Sequence, residues 1–215
     1  MDKAASASFE AADAAARRYA GRLRVARGIE LGEPLHDLPL AEWLLAERPY
    51  DFVLASVHRL REEPDYYFWD FHGKDIGREI DRYFEEVLAT VRWGRFHSLA
   101  HLTYPFRYMP ADRRPADYDR WQGTIDKILR ELAEHGLALE INTSGLRGPI
   151  GRTQPDAPLI RRFRELGGER ITIGSDAHAP ADVGASWDEA VRLAREAGFE
   201  AVTVFFEGRP EQWLL

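Results

Sequence analysis

Three stretches decide the fold: DFVLASV at residues 51–57, DIGREIDRYFEEVLATVRW at 75–93 and FHSLAH at 96–101. The first follows Pro49 and is a short apolar run, too short for a stable helix, so it reads as a buried strand. In the second, Ile76, Ile80, Tyr83, Phe84, Val87, Leu88 and Val91 recur at helical spacing. The third is a short strand. Strand, helix, strand is the unit from which parallel sheets are built. The alternation continues in both directions. Upstream lie an Ala-, Arg- and Glu-rich helix over 8–20, a strand over 23–30 and a short helix over 40–47. Downstream, helices over 118–134, 157–166 and 187–197 alternate with strands over 137–142 and 171–174 and a last strand over 201–206. No low-complexity linker interrupts the series, so residues 1–215 read as a single α/β domain of mainly parallel strands. No glycine-rich dinucleotide fingerprint follows any strand, which leaves a Rossmann reading without support.

Composition narrows the function. With 29 Lys plus Arg against 36 Asp plus Glu, the formal charge is −7, which argues against a large nucleic-acid face. A small basic pocket for a phosphorylated metabolite remains compatible with it. The absence of Cys removes disulfides, thiolate ligands and a Cys nucleophile, and fits a reducing, cytoplasmic setting. No apolar run approaches the roughly 18 residues of a membrane helix. The first 20 residues have no apolar signal core.

The residues capable of metal or acid–base chemistry fall at strand ends. Glu30 ends the first strand, His58 follows the second, His101 the third and Asn142 the fourth, with Asp176 and His178 after the fifth in GSDAH. In an α/β barrel the carboxyl ends of the parallel strands share one face, which carries the active site. Imidazole and carboxylate without thiolate suit Zn, Mn or Fe. Such an ion would acidify water and polarise a phosphoryl oxygen. Arg107 in YPFRY and Arg147 in NTSGLRG offer planar donors for phosphate.

Each residue also has a plainer reading. Glu30 suits a salt bridge at the barrel mouth, Asp176 an Asx-type turn, and Arg107 and Arg147 pairing with surface acids. Asn142 suits the orienting of a loop. His135 precedes a Gly at a helix end, a favourable place for positive charge. His36, His72 and His97 read as loop histidines, His72 near the rim. The run Tyr66, Tyr67, Phe68, Trp69 and Phe71 suits either a pocket wall or a packed lid.

The segments GIELGEP, DFVLASVH, AHLTYPFRY, LEINTSGLR and ITIGSDAHAPADVG, with the ending FEGRP, resemble the PHP (polymerase and histidinol phosphatase) family, in its histidinol-phosphatase branch. They thread the chain in order from about residue 20 onward. The resemblance implies a distorted TIM-like (β/α)7 barrel, two or three divalent metals, and hydrolysis of a phosphate monoester by metal-activated water. It implies Glu30, His58, His101, Asp176 and His178 as metal ligands, with Glu30 bridging two ions. It gives Glu30, Asp176 and His178 catalytic roles, and implies phosphate contacts from Arg147 and Arg107.

The pattern departs from the family at its start. The family opens with H-x-H on its first strand and D-H after its second, whereas the 29 residues before Glu30 contain no histidine and the first is His36. Residues 1–20 then match the helix before the G-I-E strand, and the barrel is expected to be incomplete at its N-terminus, with one to three ions bound. An incomplete barrel exposes a sheet edge through which a second copy could pair. Two further classes fit the same residues: a catalytically inactive, metal-binding PHP-fold domain, and a phosphodiesterase acting on small nucleotides.

Overall fold

The computed structural model describes residues 3–215. Five parallel strands form one sheet in chain order: β1 (Gly28–Gly32), β2 (Phe52–Ser56), β3 (Ser98–Leu99), β4 (Ala138–Asn142) and β5 (Ile171–Gly174). Helices α1 (Lys3–Arg18), α2 (Leu38–Glu47), α3 (Ile76–Trp93), α4 (Gln122–Glu134), α5 (Ala157–Glu165) and α6 (Trp187–Glu196) accompany them. The α/β class and the parallel order are those expected. Among the described residues no helix is long and apolar enough to cross a membrane.

Local chemistry sets the element ends. The Asp37 carboxylate accepts the Leu40 amide at 3.1 Å and starts α2. Asp75 does the same for α3 through the Arg78 amide at 3.1 Å. Gly94, with φ 68°, ends α3 in the left-handed conformation that glycine adopts without strain. One face of α3 buries Ile80, Tyr83, Phe84, Val87 and Val91, and it packs on α4, which buries Ile125, Ile128, Leu129 and Leu132. Every residue of β4 is buried, as the middle of a covered parallel sheet requires.

Two features differ from the expectations. The first strand runs over Gly28–Gly32 and not over 23–30, so Glu30 lies at its centre. The reason is Asp51, whose carboxylate takes the Arg27 amide at 2.7 Å and so occupies the donor a longer ladder would use. The other difference is at the far end. Strand β6 (Ala201–Phe206) is not the last; it turns back into β7 (Arg209–Leu214), and the two form an antiparallel hairpin apart from the five-stranded ladder. RPEQWL carries no apolar alternation and begins at a proline, so it gave no strand signal. Pro210 is tolerated because β7 is an edge. Glu207 and Gly208, both at positive φ, make the turn. Asp51 anchors that turn by accepting the Glu207 amide at 2.8 Å on its carboxylate and the Gly208 amide at 3.1 Å on its carbonyl. The helix read over 8–20 begins earlier, at Lys3; residues 1 and 2 of the segment matched to it lie outside the described residues.

Candidate metal centre and phosphate pocket

Parallel register carries three donors to one point. Glu30 pairs with Leu54 across β1 and β2, and Leu54 with Ser98 across β2 and β3. His58 and His101 each follow the end of their strand by two residues. One ligand atom each from Glu30, His58 and His101 lies within 4.8 Å of the others. Glu30 Oε1 is 3.2 Å from His58 Nε2 and 3.5 Å from His101 Nε2. His101 is only 4% exposed and holds a positive φ of 23°.

The charges support one another. Burial alone would raise the Glu30 carboxyl, but hydrogen bonds from His101 and His58 outweigh it and hold it well below the usual carboxylate range. Burial likewise works against the charged form of His58, yet Glu30 and Glu33 raise that imidazole to about 10. Glu33 Oε1 accepts the His58 amide at 2.5 Å and lies 3.2 Å from His58 Nδ1. A carboxylate behind an imidazole orients it as a ligand.

Glu30 and His58 open on a pocket of about 520 Å³ that Arg107, Asp176 and His178 also line. Arg107 Nη1 donates to Ser144 Oγ at 2.7 Å and lies 3.4 Å from Asp176 Oδ2. His178 Nδ1 sits 3.1 Å from the Asp176 carbonyl, and its side chain is 89% exposed. Asp176 and His178 therefore share the pocket with the three-residue group without being part of it. Arg147 does not line the pocket. Its Nη2 donates to the carbonyls of Ser175 at 2.7 Å and Asp176 at 3.2 Å, so it holds the loop that carries Asp176.

The PHP domain profile matches residues 3–144. The chain belongs to the PHP family. Its matched part contains Glu30, His58 and His101, while Asp176 and His178 lie beyond it. The probable histidinol-phosphatase of Thermotoga maritima is 33% identical over 199 residues, covering 81% of this chain and 78% of the relative. The histidinol-phosphatase of Lactococcus lactis subsp. lactis is 30% identical over 191 residues, covering 87% of this chain and 70% of the relative. A crystal structure of histidinol phosphate phosphatase from that organism, complexed with zinc, L-histidinol and phosphate, superposes with a TM-score of 0.80 at 25% identity, covering 96% of this chain and 79% of that one.

Several residues of this PHP domain that shape the pocket had no clear sequence signal. Glu33 is one; its place three residues after Glu30 in G-I-E-L-G-E-P is visible only in retrospect. Glu140 is another: it is 4% exposed, its carboxyl is raised by burial, and it accepts the His101 amide at 2.9 Å. A single charge in the apolar strand ALEIN was the available clue. Tyr104 packs against both metal-side imidazoles with ring centroids 4.8 Å away, and donates to Asp65 Oδ1 at 3.0 Å. The aromatic run divides: Tyr66, Trp69 and Phe71 are buried, while Tyr67 and Phe68 are exposed and line the pocket. His97 lies in the bend before β3, where its Nδ1 accepts the Val53 amide at 2.9 Å and its ring stacks on Phe205.

Proposed function

We propose that this chain is a metal-dependent phosphate monoester hydrolase of the histidinol-phosphatase type. The observation that carries this reading is the convergence of Glu30, His58 and His101 beside a pocket that also presents Arg107. The donors fit a divalent ion. They are one carboxylate and two imidazoles, and His101 Nδ1 is a buried nitrogen without a protein partner among the described residues. Zn, Mn and Fe all suit such a set. An ion held there supplies Lewis acidity, lowering the pKa of water and polarising a phosphoryl oxygen.

The chain's own groups do the rest. Only Nη1 of Arg107 carries protein hydrogen bonds among the described residues, which leaves Nε and Nη2 for the non-bridging oxygens of a phosphoryl group. Asp176 also meets that guanidinium at Nη1, and Arg147 holds the backbone of Asp176. Arg147 stays a proposed phosphate contact beside that supporting role. His178 Nδ1–H donates to the Asp176 carbonyl, which leaves the Nε2 lone pair for a cation beside the Asp176 carboxylate. Asp176 and His178 remain the proposed holders of any second ion. Tyr67, Phe68 and Tyr108 with Asp65 form the wall that would face the organic part of the ester. Aromatic faces beside a carboxylate suit an aromatic alcohol bearing an ammonium group, a description that L-histidinol meets.

Residues 1–215 act in this proposal as one cytoplasmic unit on a small phosphorylated metabolite. A second copy pairs along β1, whose ladder among the described residues reaches only β2; light scattering that gives a monomer would remove that part. The central test is metal analysis followed by phosphate release from L-histidinol phosphate and a panel of monoesters. Metal-dependent release that His58→Ala abolishes is expected. Protein that holds no metal above background and is indifferent to His58→Ala would sink the reading.

A further inference from the structure

Behind Arg107 runs a buried chain of hydrogen bonds that the phosphatase reading leaves unused. We propose that Ser144 and Asn142 are positioning residues that lock the Arg107 guanidinium for phosphate, and that Glu140 ties this lock to the metal side of the site. The proposal rests on the reading of Arg107 as a phosphate ligand.

The direction of every bond in the chain is determined. Ser144 N–H can only donate, and it donates to Asn142 Oδ1 at 3.0 Å. That orients the amide, so Asn142 Nδ2 faces Glu140 Oε2, to which it donates at 3.1 Å. The Ser144 hydroxyl proton also goes to Asn142 Oδ1, at 2.6 Å. Its lone pairs are then left facing Arg107 Nη1, which donates at 2.7 Å. Glu140 Oε2 also accepts the His101 amide at 2.9 Å. One carboxylate oxygen thus holds the main chain of a candidate metal ligand and, through two side chains, the phosphate arginine.

The surroundings keep this chain still. Asn142 and Ser144 are 1% and 0% exposed. The backbone of Asn142 is clasped by Gln154, whose carbonyl accepts from it at 3.1 Å and whose amide donates to it at 2.9 Å. Gln154 Nε2 in turn reaches the carbonyl of Thr103 at 3.3 Å, at the start of the turn Tyr104–Arg107. Gly174 faces Glu140 so closely that any Cβ there would collide with the carboxylate. Arginine side chains lose several rotatable bonds' worth of freedom on ordering. A buried hydroxyl that pins Nη1 removes that cost before phosphate arrives.

The test is a double-mutant cycle on metal-reconstituted protein, read by titration calorimetry with inorganic phosphate. Ser144→Ala retains the Ser144 backbone N–H to Asn142, so the local fold survives; thermal melting and metal content verify this. Ser144→Ala is expected to weaken phosphate about tenfold, the scale of a lost charge-assisted hydrogen bond. In an Arg107→Ala background the same change is expected to cost nothing further, which a general structural defect would not reproduce. Asn142→Asp, which sets a second carboxylate against Glu140, is expected to weaken phosphate at least as much. Phosphate affinity within twofold of wild type in Ser144→Ala, or an undiminished cost in the Arg107→Ala background, overturns the lock and leaves the hydrolase reading standing. Wild-type protein that binds phosphate but hydrolyses no ester leaves the cycle measurable and counts against the hydrolase reading alone. Wild-type protein that does not bind phosphate overturns both.

Discussion

Glu30, His58 and His101 come from three adjacent strands and are held from behind by Glu33 and Glu140, whereas Asp176 and His178 ride on one loop and are held mainly by Arg107, Arg147 and each other. The first group converges because register in a parallel ladder dictates where each strand and the residues just past it lie. The second group lines the same pocket yet leaves His178 89% exposed. A strand ladder fixes its side chains more firmly than a loop does. The largest effect that could break this comparison is at position 30. Glu30→Gln removes the carboxylate charge that both imidazoles face and is expected to weaken zinc by more than about 100-fold, beyond the ~10–100-fold that loss of an outer partner costs. His178→Ala is expected to move the same affinity by no more than about twofold, the scale of a surface change. Competition titration with a chelating dye measures both. Equal losses at the two positions would show that the halves act as one cluster.

Glu33 sharpens the same contrast. It touches no proposed ion but holds His58 at both the amide and Nδ1. Glu33→Gln is expected to lower zinc affinity by ~10–100-fold, with the fold intact by circular dichroism. An unchanged affinity would mean that His58 needs no orienting partner.

What the sequence disclosed follows the same division. Strand order, the helices and the places of His58 and His101 just past their strands were legible because apolar period and chain order are local signals and parallel register then converts them into proximity, whereas Glu30, read at a strand end, lies mid-strand. The hairpin at the C-terminus was not, because β7 carries Arg209, Pro210, Glu211 and Gln212 in succession and is held by pairing with β6, not by a buried face of its own. Nor were the carbonyl contacts of Arg147. Whether a guanidinium reaches a carbonyl depends on the path of the Ser175–Asp176 backbone, where Asp176 takes a positive φ of 49°, in keeping with its reading as a turn residue. Asn142 was read as orienting a loop, and it does so through Ser144.

The two halves of the pocket also differ in protons. In the metal-free protein His58 is raised to about 10 by Glu30 and Glu33, against the burial that would lower it. A raised imidazole contributes stability that is complete below its unfolded value of about 6.5 and is lost as pH rises through about 10. Glu30 is depressed, so its contribution is complete above its unfolded value of about 4.5 and is lost as pH falls well below it. The metal-free pair is therefore expected to stabilise most between about pH 4.5 and 6.5, with solvent screening of the part-exposed Glu30 reducing its share. Metal must displace the His58 proton. Calorimetry of zinc binding at pH 7.5 in buffers of different ionisation enthalpy is expected to show about one proton or more released per ion. Zero proton release would contradict an imidazole ligand at position 58.

The smallest effect comes from the opposite end of the sheet, where His97 supplies the reverse sign. Its Nδ1 accepts the Val53 amide at 2.9 Å, a bond that only the unprotonated nitrogen can make. Burial lowers its pKa. A lowered imidazole contributes stability that is complete above about 6.5 and is lost as pH falls toward its folded value. Protonation would break the Val53 bond and place charge beside Phe52 and Phe205, whose rings lie 6.2 and 4.8 Å from that of His97. Urea unfolding of the metal-free protein at pH 8 and pH 5.5 isolates this when wild type is set beside His97→Gln. Wild type is expected to lose up to about 1 kcal/mol more than the variant between the two pH values. Raising the acidity thus strengthens the charged histidine at the mouth and weakens the neutral one at the base. A variant that tracks wild type over the same interval would mean that His97 stays unprotonated throughout, and that its ring serves the hairpin by stacking alone.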